Sequence, residues 1–395
     1  MDLSFGEAML IFGALLALTA ALSGLIKGTV LSASVLSIGL GIVLAEFDVV
    51  SVDVGNEGVL ELIYLALILT LVSDGLLVDR ELLNRHWGPA ARALVLAMPV
   101  TLALLAVGAY LLFDLTWAEA FLLGAALCAT DPVVTSSVVT SRAVPAKIRH
   151  TLNLESGLND GLALPFVLFF LVLASPGGDA GQEAAQVIGE AAFGAVLGVA
   201  LGLFAGWLHR VVPGGVTPRY EGIYAIGFGV VSFGLADVTF GNGLVAAFVF
   251  GITLGLSEHK ITERFAEFSE NVSAIFQVLT FFVFGALIVA TGYEASIAAL
   301  VAFIAYALFV ARPVAVELAL VGTAIPRPHK AFIAWFGPKG VASMLFALLV
   351  LDSDVGAATA IFEIASFVIL ASIVAHGLTD TVGARWIAKR MESSQ

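Results

Sequence analysis

A single cysteine, Cys128, in 395 residues excludes an intramolecular disulfide. Charged side chains are as scarce: 12% of the chain, where soluble domains average about 25%. Hydrophobic residues make up 60% and the mean hydropathy is +1.03, which excludes a water-soluble globular protein and, equally, a disordered one. Short alternating segments with polar turns are missing, which excludes an outer-membrane β-barrel. No cluster of His or Cys suggests zinc or copper. What is present is long apolar blocks, enough for on the order of a dozen helical spans of roughly 20 residues each. The chain reads as an all-α polytopic membrane protein.

Thirteen blocks lie between charged or Pro/Gly-marked breaks, near 6–26, 28–46, 57–78, 89–113, 116–141, 151–174, 184–208, 220–237, 241–257, 264–290, 294–322, 330–350 and 357–384. The connections are short, so no nucleotide-binding or other appended domain is expected. The first block lacks a basic start and a cleavage site, and reads as a span, not a signal peptide. Of the 18 Lys and Arg residues, 16 fall in connections after odd-numbered blocks or at the C-terminal end. Connections after even-numbered blocks hold none, and carry acids such as Asp48, Asp114, Asp237 and Asp352. The positive-inside rule then puts the N-terminus outside and the C-terminus in the cytoplasm. The net charge of −13 resides mainly on the outer face and on a few intramembrane acids, and reads as solubility, adaptation to a salt-rich habitat, or enrichment of cations at an outer entrance.

Thirteen spans suit two inverted six-span repeats, 1–174 and 220–390, joined by a linking helix at 184–208, all within one transporter domain over 1–395. An offset of seven pairs span five with span twelve. Both are interrupted near the middle, by Ala129-Thr130-Asp131-Pro132 and by Gly337-Pro338-Lys339-Gly340. Proline removes a helix donor and glycine loosens the backbone, so both spans should unwind there. Unwound backbone at membrane depth belongs where it is buried in protein or lines a cavity, and a matched pair of breaks points to a transporter site.

Ionisable groups inside a bilayer cost at least ~2.5–3.5 kcal/mol each, which makes every one a functional candidate. Span five offers Thr130 and Asp131. Span six offers Glu155, Ser156, Asn159 and Asp160, whose spacing puts most of them on one helix face. Asp160 lies too far along the helix from the basic cluster ending at His150 to be interfacial decoration. Carboxylate, hydroxyl and carbonyl oxygens suit a hard monovalent cation, so Asp160, Asp131, Thr130 and Ser156 form the expected cation site, with Asn159 beside it. Arg312 in span eleven needs a partner. Glu155 is preferred over Glu317, which lies about one turn along Arg312's own helix. Lys339 either offsets Asp131 or stabilises the broken helix ends. Asp74, Glu363 and Asn242 rank lower, Phe281, Phe282 and Phe284 read as lipid-facing or packing residues, and none of the six histidines is expected to act. Cation and proton would compete to neutralise Asp160, and the site would move across the membrane only when neutral. A cation channel, an anion or organic-acid symporter using Arg312 and Lys339, and a membrane sensor are the rivals.

Thr130-Asp131-Pro132 followed by Glu155-Ser156-Gly157-Leu158-Asn159-Asp160 resembles the paired signatures of monovalent cation/proton antiporters of the NhaP and sodium/proton exchanger type. Gly241-Asn242-Gly243, Phe282-Val283-Phe284-Gly285, Arg312-Pro313 and Trp335-Phe336-Gly337-Pro338-Lys339-Gly340 are similar to further motifs of that family. The resemblance implies a homodimer of thirteen-helix protomers in the lipid bilayer of a prokaryote's cytoplasmic membrane, each with a dimerisation domain and a mobile core containing crossed, broken helices. Asp160 would bind Na⁺ and a proton in turn, with K⁺ or Li⁺ as alternatives to Na⁺, with Asp131, Thr130, Ser156 and Asn159 completing the site and Glu155 pairing with Arg312. Asn159-Asp160, in place of two aspartates, implies electroneutral exchange. Close relatives usually carry Arg in a Gly-x-Arg-Gly setting where this chain has Lys339. No enzymatic activity, cofactor or nucleic-acid partner is expected.

Overall fold

The structure, a computed structural model, describes residues 5–392 apart from 27–32, 53–56, 79–87, 89, 132–143, 178–179, 213–215, 218, 258–262 and 293. Among the described residues all regular structure is helical, and each of the thirteen apolar blocks contains a helix. In chain order these are α1 Phe5–Ile26, α2 Ala33–Glu46, α3 Glu57–Leu76, α4 Ala90–Leu112, α5 Trp117–Cys128, α6 Ala146–Ala174 and α7 Ala180–Val211. There follow α8 Glu221–Asp237, α9 Gly243–Gly255, α10 Glu263–Thr291, α11 Ile297–Ala319, the split helix α12a Arg327–Trp335 and α12b Val341–Leu351, and α13 Ala358–Glu392. Stretches of α4, α6, α7, α10, α11 and α13 are each long and apolar enough by themselves to cross a membrane. α5 stops at Cys128, and Pro132 with the rest of its block lies outside the described residues.

Helix starts follow local chemistry. Thr116 and Glu119 form a capping box at α5, with the Thr116 N–H donating to Glu119 Oε2 at 2.8 Å. Asn242 caps α9 by accepting from the Val245 N–H at 3.0 Å. α4 and α11 share a feature that apolar periodicity does not predict. Ala93–Ala97 and Ala307–Ala311 widen into π turns, directly before Met98-Pro99 and Arg312-Pro313. A proline ring collides with the carbonyl four residues back, and a wider preceding turn moves that carbonyl aside.

Two helix pairs approach backbone to backbone through a glycine on each helix. α2 packs on α10, where a Cβ on Gly41 would strike the Phe282 carbonyl and one on Gly285 the Ile38 carbonyl. α3 packs on α9 in the same way, Gly75 facing the Phe248 carbonyl and Gly251 the Val72 carbonyl. Each glycine faces the carbonyl three residues before its partner, as Cβ vectors that point toward the N-terminus require of helices running parallel. Gly41 and Gly251 lie 210 residues apart, as do Gly75 and Gly285.

One large apolar core runs through α3, α5, α6, α9, α10, α12b and α13. It takes in Phe281, Phe282 and Phe284, which are buried packing residues. A smaller core gathers Ala97, Ile148, Val316, Phe332 and Ile387 where α4, α6, α11, α12a and α13 meet. Beside it the carboxyl end of α11 is closed by cations, Arg92 Nη1 donating to Val321 O at 2.8 Å and Lys330 Nζ to Leu320 O at 2.6 Å. At the start of the same helix, Glu363 Oε1 of α13 accepts from the N–H groups of Glu294 and Ala295 at 3.1 and 3.0 Å. α7 turns Ile188, Val196, Leu203 and Trp207 outward, 54–68% exposed, a stripe suited to lipid or to a second copy of the chain.

The glycine contacts predict a sharp contrast within one helix. Gly41→Ala should lower stability by ~1–3 kcal/mol, because the opposing group is backbone and cannot yield. Gly39→Ala, with nothing within 4 Å of the added carbon, should melt at or above the wild-type temperature. Thermal unfolding in detergent measures both, and equal melting of the two variants would refute the helix seating.

Candidate cation and proton site

The interrupted ends of α5 and α12 lie against each other. Past Cys128 the chain turns extended at Ala129, with φ −62° and ψ 149°. The Asp131 N–H donates to Pro338 O at 2.9 Å, and Asp131 Oδ2 accepts from the Val341 N–H at 3.0 Å. In return Lys339 Nζ and Ser343 Oγ both donate to Ala129 O, each at 3.4 Å. A carboxylate therefore stands at the electropositive amino end of α12b and an ammonium at the electronegative carboxyl end of α5. The glycines of Gly337-Pro338-Lys339-Gly340 have separate reasons. A Cβ on Gly337 would overlap the Arg312 guanidinium, and one on Gly340 would overlap the Asp131 carboxylate.

α6 brings the second group of residues to this crossing. Asn159 Nδ2 donates to Thr130 Oγ1 at 3.1 Å and to Cys128 O at 3.5 Å, and Thr130 Oγ1 lies 3.5 Å from Ser156 Oγ. Asp160 is 4% exposed. Its Oδ1 and that of Asn159 are buried with no hydrogen-bond partner, two oxygens held without a donor. Gly161 lets the Phe248 ring of α9 press against α6 beside them. Thr130, Ser156, Asn159 and the extended carbonyls of span five are thus gathered in one buried region with Asp131 and Asp160.

Arg312 and Glu155 form a buried ion pair at 2.8 Å. Arg312 Nη2 also donates to Ile333 O at 3.4 Å, at the end of α12a. Glu317, the alternative partner, is exposed. The pair thus ties α6, α11 and α12a together beside the smaller core.

Two features had no weight, or little, in the sequence reading. Asp74, at the end of α3, is half-buried and within electrostatic reach of both Asp131 and Asp160. Its signal was present in the sequence: an acid inside an apolar block, followed by a glycine that seats α3 on α9. His376 of α13 is 3% exposed and bonded to the end of α12a, a placement that no local pattern announces. Of the other histidines, His86 and His259 lie outside the described residues. Among the described residues no group of three His, Cys, Asp or Glu side chains converges closely enough to hold a resident metal.

The family described as sodium/hydrogen exchanger, transmembrane, matches residues 11–384. A K(+)/H(+) antiporter NhaP of Alkalimonas amylolytica is 25% identical over 82% of this chain and 56% of its own length. A K(+)/H(+) antiporter NhaP2 of Shewanella oneidensis is 27% identical over 75% of this chain and 52% of its own. The chain thus spans about half the length of the curated relatives it matches. Among solved structures, the sodium proton antiporter MjNhaP1 of Methanocaldococcus jannaschii superimposes with a TM-score of 0.77 at 20% identity, covering 97% of this chain and 98% of that one. That likeness extends over nearly the whole of both chains and shows a common fold. Together with the buried crossing of α5, α6 and α12, the match over residues 11–384 means that the chain belongs to the transmembrane sodium/hydrogen exchanger family.

Proposed function

We propose that the protein is a secondary antiporter, exchanging a monovalent cation for H⁺ across the cytoplasmic membrane by alternating access, with Asp160 as the carboxylate for which cation and proton compete. One observation carries this reading: Asp160 and Asn159 each hold a buried side-chain oxygen without a donor, beside Thr130, Ser156 and the broken backbone of α5. An oxygen cluster of that kind is completed by a cation or by a proton. Ligands of the cation, in this proposal, are Asp160, Asp131, Thr130 and Ser156, with Asn159 orienting Thr130 and Asp74 adding negative charge. Neutralising Asp160 removes the cost of carrying a bare charge past an apolar barrier, so the core moves when loaded with either ion and not when empty.

The same geometry disfavours anion symport. Both candidate counter-charges are already engaged, Arg312 with Glu155 and Lys339 with Ala129 O. In our reading the thirteen helices are thirteen spans, N-terminus outside, in two inverted repeats about α7. The matched glycine pairs of α2–α10 and α3–α9, the π turns of α4 and α11 and the crossed breaks of spans five and twelve all support an offset of seven. The exposed apolar stripe of α7 supports a homodimer. Na⁺ is the first candidate ion and the exchange is electroneutral. K⁺ is the second, favoured by relatives that are themselves named K(+)/H(+) antiporters.

Asp160→Asn should abolish exchange in proteoliposomes while melting at the wild-type temperature, and retained exchange would sink the assignment. Glu155→Gln leaves the Arg312 charge buried and unpaired, and should cost ~3–5 kcal/mol of stability in thermal unfolding. Cation-triggered proton movement with Na⁺, K⁺ and Li⁺, with and without an imposed voltage, identifies the ion. A rate indifferent to voltage is expected, and a voltage-dependent rate would refute one-for-one exchange.

A further inference from the structure

The unwound stretch 336–340 has a second neighbour besides α5. Four residues of α13, at Ser372, His376, Thr379 and Gly383, recur at spacings of four, three and four and so share one helix face. All four touch the break or its flanks. Ser372 Oγ accepts from the Lys339 N–H at 2.9 Å. His376 Nε2 lies 2.8 Å from Trp335 O, and its Nδ1 lies 3.3 Å from Ser372 Oγ and 2.7 Å from Ser372 O. The imidazole stacks on the Trp335 indole with centroids 5.0 Å apart, and the indole N–H donates to Thr379 Oγ1 at 2.9 Å. Gly383 has no Cβ because one would overlap the Phe336 ring.

The contacts reach both sides of the interruption: Trp335 is the last residue of α12a, and Lys339 lies two residues before α12b resumes. The Pro338–Lys339 peptide unit carries the consequence. Its N–H is held by Ser372, and its C=O accepts from the Asp131 N–H at 2.9 Å. A peptide unit is planar and stiff, so a rotation allowed on the α13 side reappears on the α5 side. His376 sets Ser372, Ser372 sets the peptide, and the peptide sets Asp131.

We propose that Ser372, His376, Thr379 and Gly383 form a clamp that fixes the α12 break, and that Ser372 and His376 are positioning residues for cation exchange, acting on Asp131 through the Pro338–Lys339 peptide. This rests on the transport reading above and deepens it. Neither residue is placed against the ion.

The test compares Ser372→Ala, His376→Ala and His376→Gln with the wild type in proteoliposomes, using whichever of Na⁺, K⁺ and Li⁺ the wild type exchanges. Loss of one buried hydrogen bond should raise the apparent KM for the cation roughly three- to tenfold in both alanine variants, with the maximal rate changed less. Glutamine can donate an amide N–H to Trp335 O, as the Nε2–H tautomer of His376 does, and accept from the Ser372 hydroxyl, so His376→Gln should return KM to within about twofold of wild type. Two results would overturn the proposal: wild-type KM in both alanine variants, or a glutamine variant as impaired as alanine, which would make the role one of packing. Amide hydrogen exchange at Lys339 and Val341 reads the clamp without transport. Faster exchange in Ser372→Ala and His376→Ala is expected, and unchanged protection would refute the clamp even where transport is altered. A wild type that moves none of the three cations would overturn the transport reading and the positioning role together, while amide exchange would still decide whether the clamp exists.

Discussion

Two apolar helices that end inside the buried core leave carbonyls and N–H groups that water does not reach, and the packing around them accommodates that fact. The solution is reciprocal. α5 supplies Asp131 to the amino end of α12b, and α12 supplies Lys339 to the carboxyl end of α5, so each interruption is completed by the other's side chain. Such an arrangement works only if the two backbones nearly touch. Gly340 leaves room for the Asp131 carboxylate, and Gly337 leaves room for the Arg312 guanidinium that braces the crossing from the far side. The motif Gly-Pro-Lys-Gly is therefore a set of four answers to one steric and electrostatic problem.

Around that crossing the balance of charge is uneven. Glu155, Asp131, Asp160 and Asp74 supply four carboxylates, and Arg312 and Lys339 supply two cations. The Glu155–Arg312 pair closes on itself, and Lys339 is occupied with Ala129 O. A buried ion pair of this kind contributes little net stability against an apolar replacement, because desolvation offsets its attraction. Its value lies in fixing which faces of α6, α11 and α12a meet. The crossing is thus left with more carboxylates than cations, which is the setting of the two donor-less oxygens of Asn159 and Asp160.

Rigidity has a similar origin in the rest of the molecule. α2 with α10 and α3 with α9 approach through glycine until backbone meets backbone, where lipid offers no hydrophobic drive and close van der Waals packing must serve instead. The π turns of α4 and α11 absorb a proline each without breaking the helix.

Much of this was legible in the sequence, because a bilayer imposes strong local rules. Thirteen apolar blocks each hold a helix, and the break at 336–340 lies where Gly337-Pro338-Lys339-Gly340 put it. Glu155, Ser156, Asn159 and Asp160 share a region because helical spacing alone sets their face. The sequence by itself also determined the class of protein, since no other environment accepts so many apolar residues and so few charges. Which side chains meet across helices was not decided there. That Asp74 lies within electrostatic reach of Asp160, that Glu155 rather than Glu317 holds Arg312, and that α13 grips the break through His376 depend on residues far apart in the chain. Hydrophobic pattern and helical period fix what each segment is; only the packed arrangement of helices, set by glycine contacts and paired broken ends, fixes what it touches.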